Sequence, residues 1–193
     1  MRIVAGTYRS RLLGAPAGLA TRPTSDRLRE TLFDVLGLRI RGAAFLDLYA
    51  GSGAVGIEAV SRGAAQVTFV ERARDPLNAL RENLVRLGIG DGVHVHAMST
   101  AQFLRAAKLK QRFDVVFLDP PYQAAGEYET TLALLGDAAP QWLAEGALVI
   151  AEHRRKLPLR NSYGRLERTR LLEQGDAAMS FFTIMAAVGQ EDL

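Results

Sequence analysis

From about residue 43 the sequence alternates short, near-continuous apolar runs with longer amphipathic stretches, and few folds accept that rhythm. Residues 44–49, 66–71 and 113–119 read as strands buried on both faces, with 92–96 and 147–151 as shorter companions. Strands of this kind belong to parallel sheets covered by helices on both sides. Helices are expected at 53–62, 75–87, 100–108 and 128–135. In the longest, Leu77, Leu80, Leu84 and Leu87 recur at spacings of three and four; Asp75 before Pro76 is expected to cap its start and Gly88 to stop it. The pattern predicts an α/β fold with a doubly wound, mostly parallel, seven-stranded sheet.

The two ends break the rhythm. Residues 165–173 and 179–188 are strand-like and flank Gly175-Asp176, which predicts an antiparallel hairpin at the end of the sheet. At the front, residues 2–5 and 11–13 flank Gly6-Thr7-Tyr8 as a small hairpin. Residues 25–38 then place Leu28, Leu32, Phe33, Val35 and Leu36 on one helical stripe. Two parts are expected: a small basic extension over 1–42 and the α/β domain over 43–193. The extension holds eight arginines against three acidic residues, a net of +5 in a chain whose total is +3. A basic arm on a near-neutral body is the footprint of a nucleic-acid partner.

Composition removes other chemistries. With no cysteine there is no disulfide, thiolate metal site or cysteine nucleophile. Of the three histidines, His94 and His96 share a strand face without an evident third ligand, so no metal is expected. No run reaches the roughly 18 apolar residues of a membrane helix, and the first residues lack the apolar core of a secretory signal. The expected location is the cytoplasm.

Gly51-Ser52-Gly53-Ala54-Val55-Gly56 follows a strand and opens a helix, and Glu71 ends the next strand twenty residues after Gly51. That spacing suits a dinucleotide, with pyrophosphate on the helix amino terminus and the acid on ribose hydroxyls. Asp47, four residues before Gly51, sets a carboxylate where pyrophosphate would lie and favours a ligand with a cationic end. S-adenosylmethionine has that pattern: ammonium and sulfonium positive, a ribose diol and no phosphate. The dinucleotide remains a rival, as does a purely local role for Asp47 as a turn or cap residue.

Asp119-Pro120-Pro121-Tyr122 closes the fourth parallel strand, on the same edge of the sheet. Its prolines remove two backbone donors and leave acceptors, the Asp119 carboxylate and nearby carbonyls. A planar amino group on a nucleobase needs such acceptors to become tetrahedral and attack a methyl group. Tyr122 offers a stacking surface for a base taken out of its helix. Methylation of pyrimidine C5 commonly uses a cysteine, which this chain lacks, so an exocyclic nitrogen is the expected target.

These motifs resemble the class I, Rossmann-like methyltransferases, and their combination resembles the RsmD family of bacterial 16S ribosomal RNA guanine-N2 methyltransferases. The resemblance runs through residues 2–9, 22–33, 47–53, 69–71 and 119–122, with 22–33 its most specific part. It implies that Asp47, Gly51, Ser52, Gly53 and Glu71 bind S-adenosylmethionine, with Ser99 and Thr100 near the adenine. There the chain departs from the acidic or amide residue followed by alanine that is usual in relatives. It further implies that Asp119, Pro120 and Tyr122 hold the guanine amino group, and that Tyr8, Arg9, Arg11, Arg22 and Arg27 meet 16S rRNA. The RNA would be presented within a small subunit or an assembly intermediate, to a monomeric enzyme. The rivals are a DNA adenine-N6 or protein glutamine-N5 methyltransferase and a catalytically silent RNA-binding protein.

Overall fold

A computed structural model describes residues 1–15, 26–106, 111–121 and 126–185. Helix α1 (Asp26–Leu36) and a 3-10 turn (Gly37–Ile40) lead into strand β1 (Ala44–Leu48). There follow α2 (Ala54–Ser61), β2 (Gln66–Val70), α3 (Arg74–Leu87), β3 (Val93–His96), α4 (Thr100–Ala106) and β4 (Phe113–Leu118). The chain closes with α5 (Gly126–Asp137), α6 (Ala139–Trp142), β5 (Leu143–Arg154), β6 (Ser162–Tyr163), β7 (Leu166–Gln174) and β8 (Ala177–Ile184).

The eight strands among the described residues form one sheet in the order β3-β2-β1-β4-β5-β8-β7-β6. The first five are parallel, and β8, β7 and β6 add antiparallel to the far edge. The expected fold class is present with one strand more than expected. Two-residue β6 is too short to carry a periodic signal, and it pairs only with Leu166 and Glu167 at the start of β7.

Alternation along the strands sorts the core into two layers. Phe45, Val67, Val115 and Ile150 pack with Leu28, Leu32 and Phe33 of α1, Ile57 of α2 and Leu80 of α3. Leu46, Val116 and Val149 pack on the other face with Phe103 of α4, Leu132 of α5 and Trp142 of α6. Burial on both faces is why these strands lack polar alternation.

Helix α3 begins earlier than expected. Its N-cap is Ala73, so Asp75 and Pro76 lie inside the first turn. The Glu71 carboxylate accepts the Ala73 N–H at 2.7 Å, and proline is harmless there because first-turn N–H groups have no helical partner. Gly88 ends the helix in the left-handed region, φ 68°, as expected. The carboxyl-terminal hairpin turns at Gly175-Asp176 between β7 and β8; the expected residues 186–188 of its second strand lie outside the described residues.

The front segment forms a single antiparallel bridge, Arg2 to Leu12. Ile3 and Leu13 enter the same apolar layer as α1 and α2. Buried Glu58 of α2 fastens this segment: its carboxylate accepts the N–H groups of Val4 (2.8 Å) and Ala5 (2.9 Å) and pairs with Arg62 at 2.8 Å. Arg29 of α1 is fully buried and lies 3.6 Å from the same carboxylate, while also donating to Asp26 and to the Arg2 carbonyl. One acid thus holds the front segment, α1 and α2 together. Because removing one partner strands the other charge, Glu58→Ala should cost about 3 kcal/mol of stability. It should also speed amide exchange at Val4 and Ala5. Urea denaturation and hydrogen exchange read the two effects, and unchanged exchange would mean the front segment is anchored elsewhere.

Candidate active site

The strand order reverses between β1 and β4, which run side by side with Asp47 level with Phe117. Loops leaving the carboxyl ends of strands at such a reversal part in opposite directions and open a crevice. The glycine loop leaves β1 there, and Asp119 follows β4 directly. The sheet therefore brings together the two motifs that the sequence singled out.

Two glycines let the start of α2 pack closely, one against α3 and one against the sheet. A side chain at Gly53, whose φ is 86°, would meet Leu80 Cδ1 at 2.3 Å. One at Gly56 would meet the Phe69 ring at 2.2 Å and Asp47 Oδ2 at 3.0 Å. Gly51 faces open space on the crevice side. Its N–H donates to Glu71 Oε2 at 2.8 Å, so Glu71 ties the glycine loop to the end of β2. A carboxylate has about four acceptor positions, so after bonding Gly51 and Ala73 it keeps room for two more donors. The Ser52 carbonyl accepts from Asn83 Nδ2 at 2.9 Å.

Asp47 is buried beneath the loop, and its Oδ2 accepts the Gly56 N–H at 2.9 Å. Burial holds this carboxyl up at about 7, against the pull of the Gly56 bond and with a further push from Glu71. Asp119 is raised well above the usual carboxylate range by burial, then by Glu152 and by Asp47. The register explains the coupling: Leu118 pairs with Ala151, which sets Asp119 beside Glu152, and strand parity puts Asp47, Asp119 and Glu152 toward one face. The crevice is a place where negative charge is crowded and positive charge would be welcome.

Ser99 and Thr100 reach this rim from β3. Ser99 caps α4 in a reciprocal arrangement, its Oγ accepting from Gln102 N and its own N–H donating to Gln102 Oε1. Buried Thr100 approaches the Tyr49 hydroxyl. Pro120 is buried and Pro121 exposed, whereas Tyr122 lies outside the described residues.

The expected RNA contacts are spread more widely. Tyr8 is half-buried, its N–H bonded to Ser61 Oγ at 3.0 Å, and Thr7 N–H donates to the Ser61 carbonyl. Ser61 ends α2, eight residues after Gly53 of the glycine loop, so the turn bonded to it lies about 12 Å from that loop at the usual helical rise. Arg9 and Arg11 are exposed, as is Arg27 in the first turn of α1. Arg22 lies outside the described residues.

Sequence reasoning missed three residues. Tyr49 adopts φ 64° and bonds Glu127 (2.8 Å) and Thr131 (2.6 Å), fixing α5 to the glycine loop. Burial, chiefly, pushes its hydroxyl up to about 12. Buried Asn83 bonds both Gly14 and Ser52, clasping the front segment to the loop. Glu152, in an apolar strand, carried no local signal beyond being an acid in that setting.

Residues 1–183 match the family model described as Conserved hypothetical protein 95. This chain belongs to that family. It is 43% identical over 154 residues to Ribosomal RNA small subunit methyltransferase D of Escherichia coli K12, which covers 79% of this chain and 74% of that relative. It is 39% identical over 160 residues to the protein of the same name in Haemophilus influenzae, covering 82% and 81%. The solved structure of yhhF from Escherichia coli superposes with a TM-score of 0.83 at 36% identity, over 96% of this chain and 98% of that one. In this Conserved hypothetical protein 95 chain the glycine loop, Asp47, Glu71 and Asp119 share one rim, and no group of three metal-ligating side chains occurs among the described residues.

The raised Asp47 carboxyl has a measurable consequence. Its ordinary value is 3.8 and its folded value about 7, so between those limits the unfolded chain releases a proton that the folded chain keeps. Stability is then lost as pH rises through this window. In urea denaturation from pH 4 to 7, Asp47→Asn should show a flatter decline than the wild type. Parallel slopes would mean the carboxyl is not perturbed.

Proposed function

We propose that this protein is an S-adenosylmethionine-dependent methyltransferase acting on the exocyclic N2 of a guanine in small-subunit (16S) ribosomal RNA. The observation that carries this reading is the crowding of Asp47, Asp119 and Glu71 around an open glycine loop. Pyrophosphate would be repelled by that set, whereas a ligand with ammonium, sulfonium and a ribose diol complements it. The residues therefore fit S-adenosylmethionine, whose contribution is a methyl group already activated on sulfur. The names of the relatives supply the substrate class.

Each residue then has a defined task. Glu71 accepts ribose hydroxyls with the acceptor capacity left over from Gly51 and Ala73. Asp47 faces the cationic amino-acid end, and positive charge there draws its proton off. Gly51, Ser52 and Gly53 let the ligand approach the backbone, and Ser99 and Thr100 border the adenine. Asp119 accepts an N–H of the guanine amino group beside the donorless Pro120, orienting the nitrogen lone pair toward the methyl carbon. Transfer would form the nitrogen–carbon bond and break the methyl–sulfur bond, its electron pair going to sulfur, and Asp119 would be placed to take the proton that the nitrogen sheds. Positioning and electrostatics supply the acceleration. Tyr122 stacks on the extruded base, and Tyr8, Arg9, Arg11, Arg22 and Arg27 engage the RNA. The substrate is presented in a small subunit or an assembly intermediate in the cytoplasm, to a single copy of the chain. No helix among the described residues is long and apolar enough to cross a membrane.

Methyl-labelled S-adenosylmethionine should label small-subunit particles from cells lacking the gene, and nucleoside mass spectrometry should place the label on guanine N2. Label on DNA or on a protein glutamine would refute the RNA assignment. Asp119→Ala should slow transfer by roughly a hundred-fold or more, as loss of reactant alignment does, while S-adenosylmethionine affinity by calorimetry stays near wild type. An undiminished rate would remove Asp119 from the chemistry.

A further inference from the structure

The proposed site is acidic, and RNA is a polyanion. Something on the crevice rim must offset that repulsion close to the target base. The turn of the front segment does not, because Arg9 is tied to the far end of α2. Strand β5 continues past Glu152 to Arg154, and the chain then turns: Leu157 N–H donates to the Arg154 carbonyl at 2.9 Å. Arg155 and Lys156 occupy the two central positions of this turn, and both are exposed. With Asp119 level with Glu152 in the register, Arg155 stands three residues further along, about 10 Å beyond Asp119 at the usual strand rise.

Two contacts make this turn part of a continuous edge. Arg155 N–H donates to the Asp176 carbonyl at 2.9 Å, docking the turn on the tip of the β7–β8 hairpin. On the other side of that tip, Gln174 lies 3.2 Å from the Thr31 hydroxyl, one turn of α1 below Arg27. Arg27, the hairpin tip, Arg155 and Lys156 therefore follow one another along the crevice end of the sheet. Asp176 and Glu173 are the acids of the tip, and no ion pair among the described residues engages Arg155 or Lys156.

We infer that Arg155 and Lys156 form a second RNA-contact surface, gripping backbone phosphates beside the target guanine on the β5 side of Asp119. This rests on the RNA reading above. The surface fits RNA phosphates because two adjacent cations at a turn can meet consecutive phosphates without reading base identity.

The test is filter binding of 16S rRNA across a salt series, together with methyl-transfer kinetics on small-subunit particles from gene-deleted cells. Arg155→Ala/Lys156→Ala should lower the slope of log affinity against log salt by about 1.5, as loss of two phosphate contacts requires, and should raise the RNA KM by about ten-fold. Arg155→Lys with Lys156 intact should restore most of the slope. Arg112→Ala, an exposed cation at the opposite end of β4, should keep the wild-type slope. A folded double variant with the wild-type slope and KM overturns the inference while leaving the RNA reading intact. A wild-type protein that neither binds nor labels 16S rRNA sinks both.

Discussion

The parallel pairing of β1 with β4 places residues far apart in sequence at a common edge. Backbone hydrogen bonds fix that pairing to the residue, so the position of the loop after β1 relative to the Asp119 segment is set by the sheet and not by the loops themselves. Apolar side chains on both faces lock the register, since a slip of one position would turn Asp47 into a core layer and Leu48 toward the crevice. The chemistry proposed for this protein depends on that arrangement more than on any single side chain.

Electrostatics follow from the same geometry. Four neighbouring strands, β2, β1, β4 and β5, each bring an acid near one rim, and two of those carboxyls are held above their ordinary range. Such groups are costly to ionise until a cation arrives, so the site is preorganised for positive charge. A cationic methyl donor meets this condition, whereas RNA needs compensation at the margin. The lone acid of α2, Glu58, plays a different part: with its charge satisfied by two arginines and two amides, it serves the architecture alone.

Much of this was legible from residues. Strands buried on both faces announce themselves as unbroken apolar runs, and the glycine spacing singles out Asp47 and Glu71, which the sheet brings to one crevice. Gly88 stopped α3 where a left-handed residue was needed. What escaped was tertiary. Nothing local distinguishes Arg29, buried against Glu58, from its exposed neighbour Arg27, so a tally of arginines overstates the charge offered to RNA. Asn83 looks like an ordinary polar helix residue until Gly14 and Ser52 arrive from elsewhere in the chain. The start of α3 carries no local signal of its own, because the acid that accepts the N–H of its N-cap, Ala73, is Glu71, outside the helix.

The far border of the sheet has a consequence for self-association. Because β6 meets only Leu166 and Glu167, the rest of β7 has no described strand on its outer flank. Open strand flanks invite another polypeptide to zip on. Here Arg168, Arg170 and Glu173 put a charge at three of the seven remaining positions, so a second molecule extending the ladder would have to strip water from those ionic groups. The border guards itself against fibre-like stacking without needing a lid of additional structure.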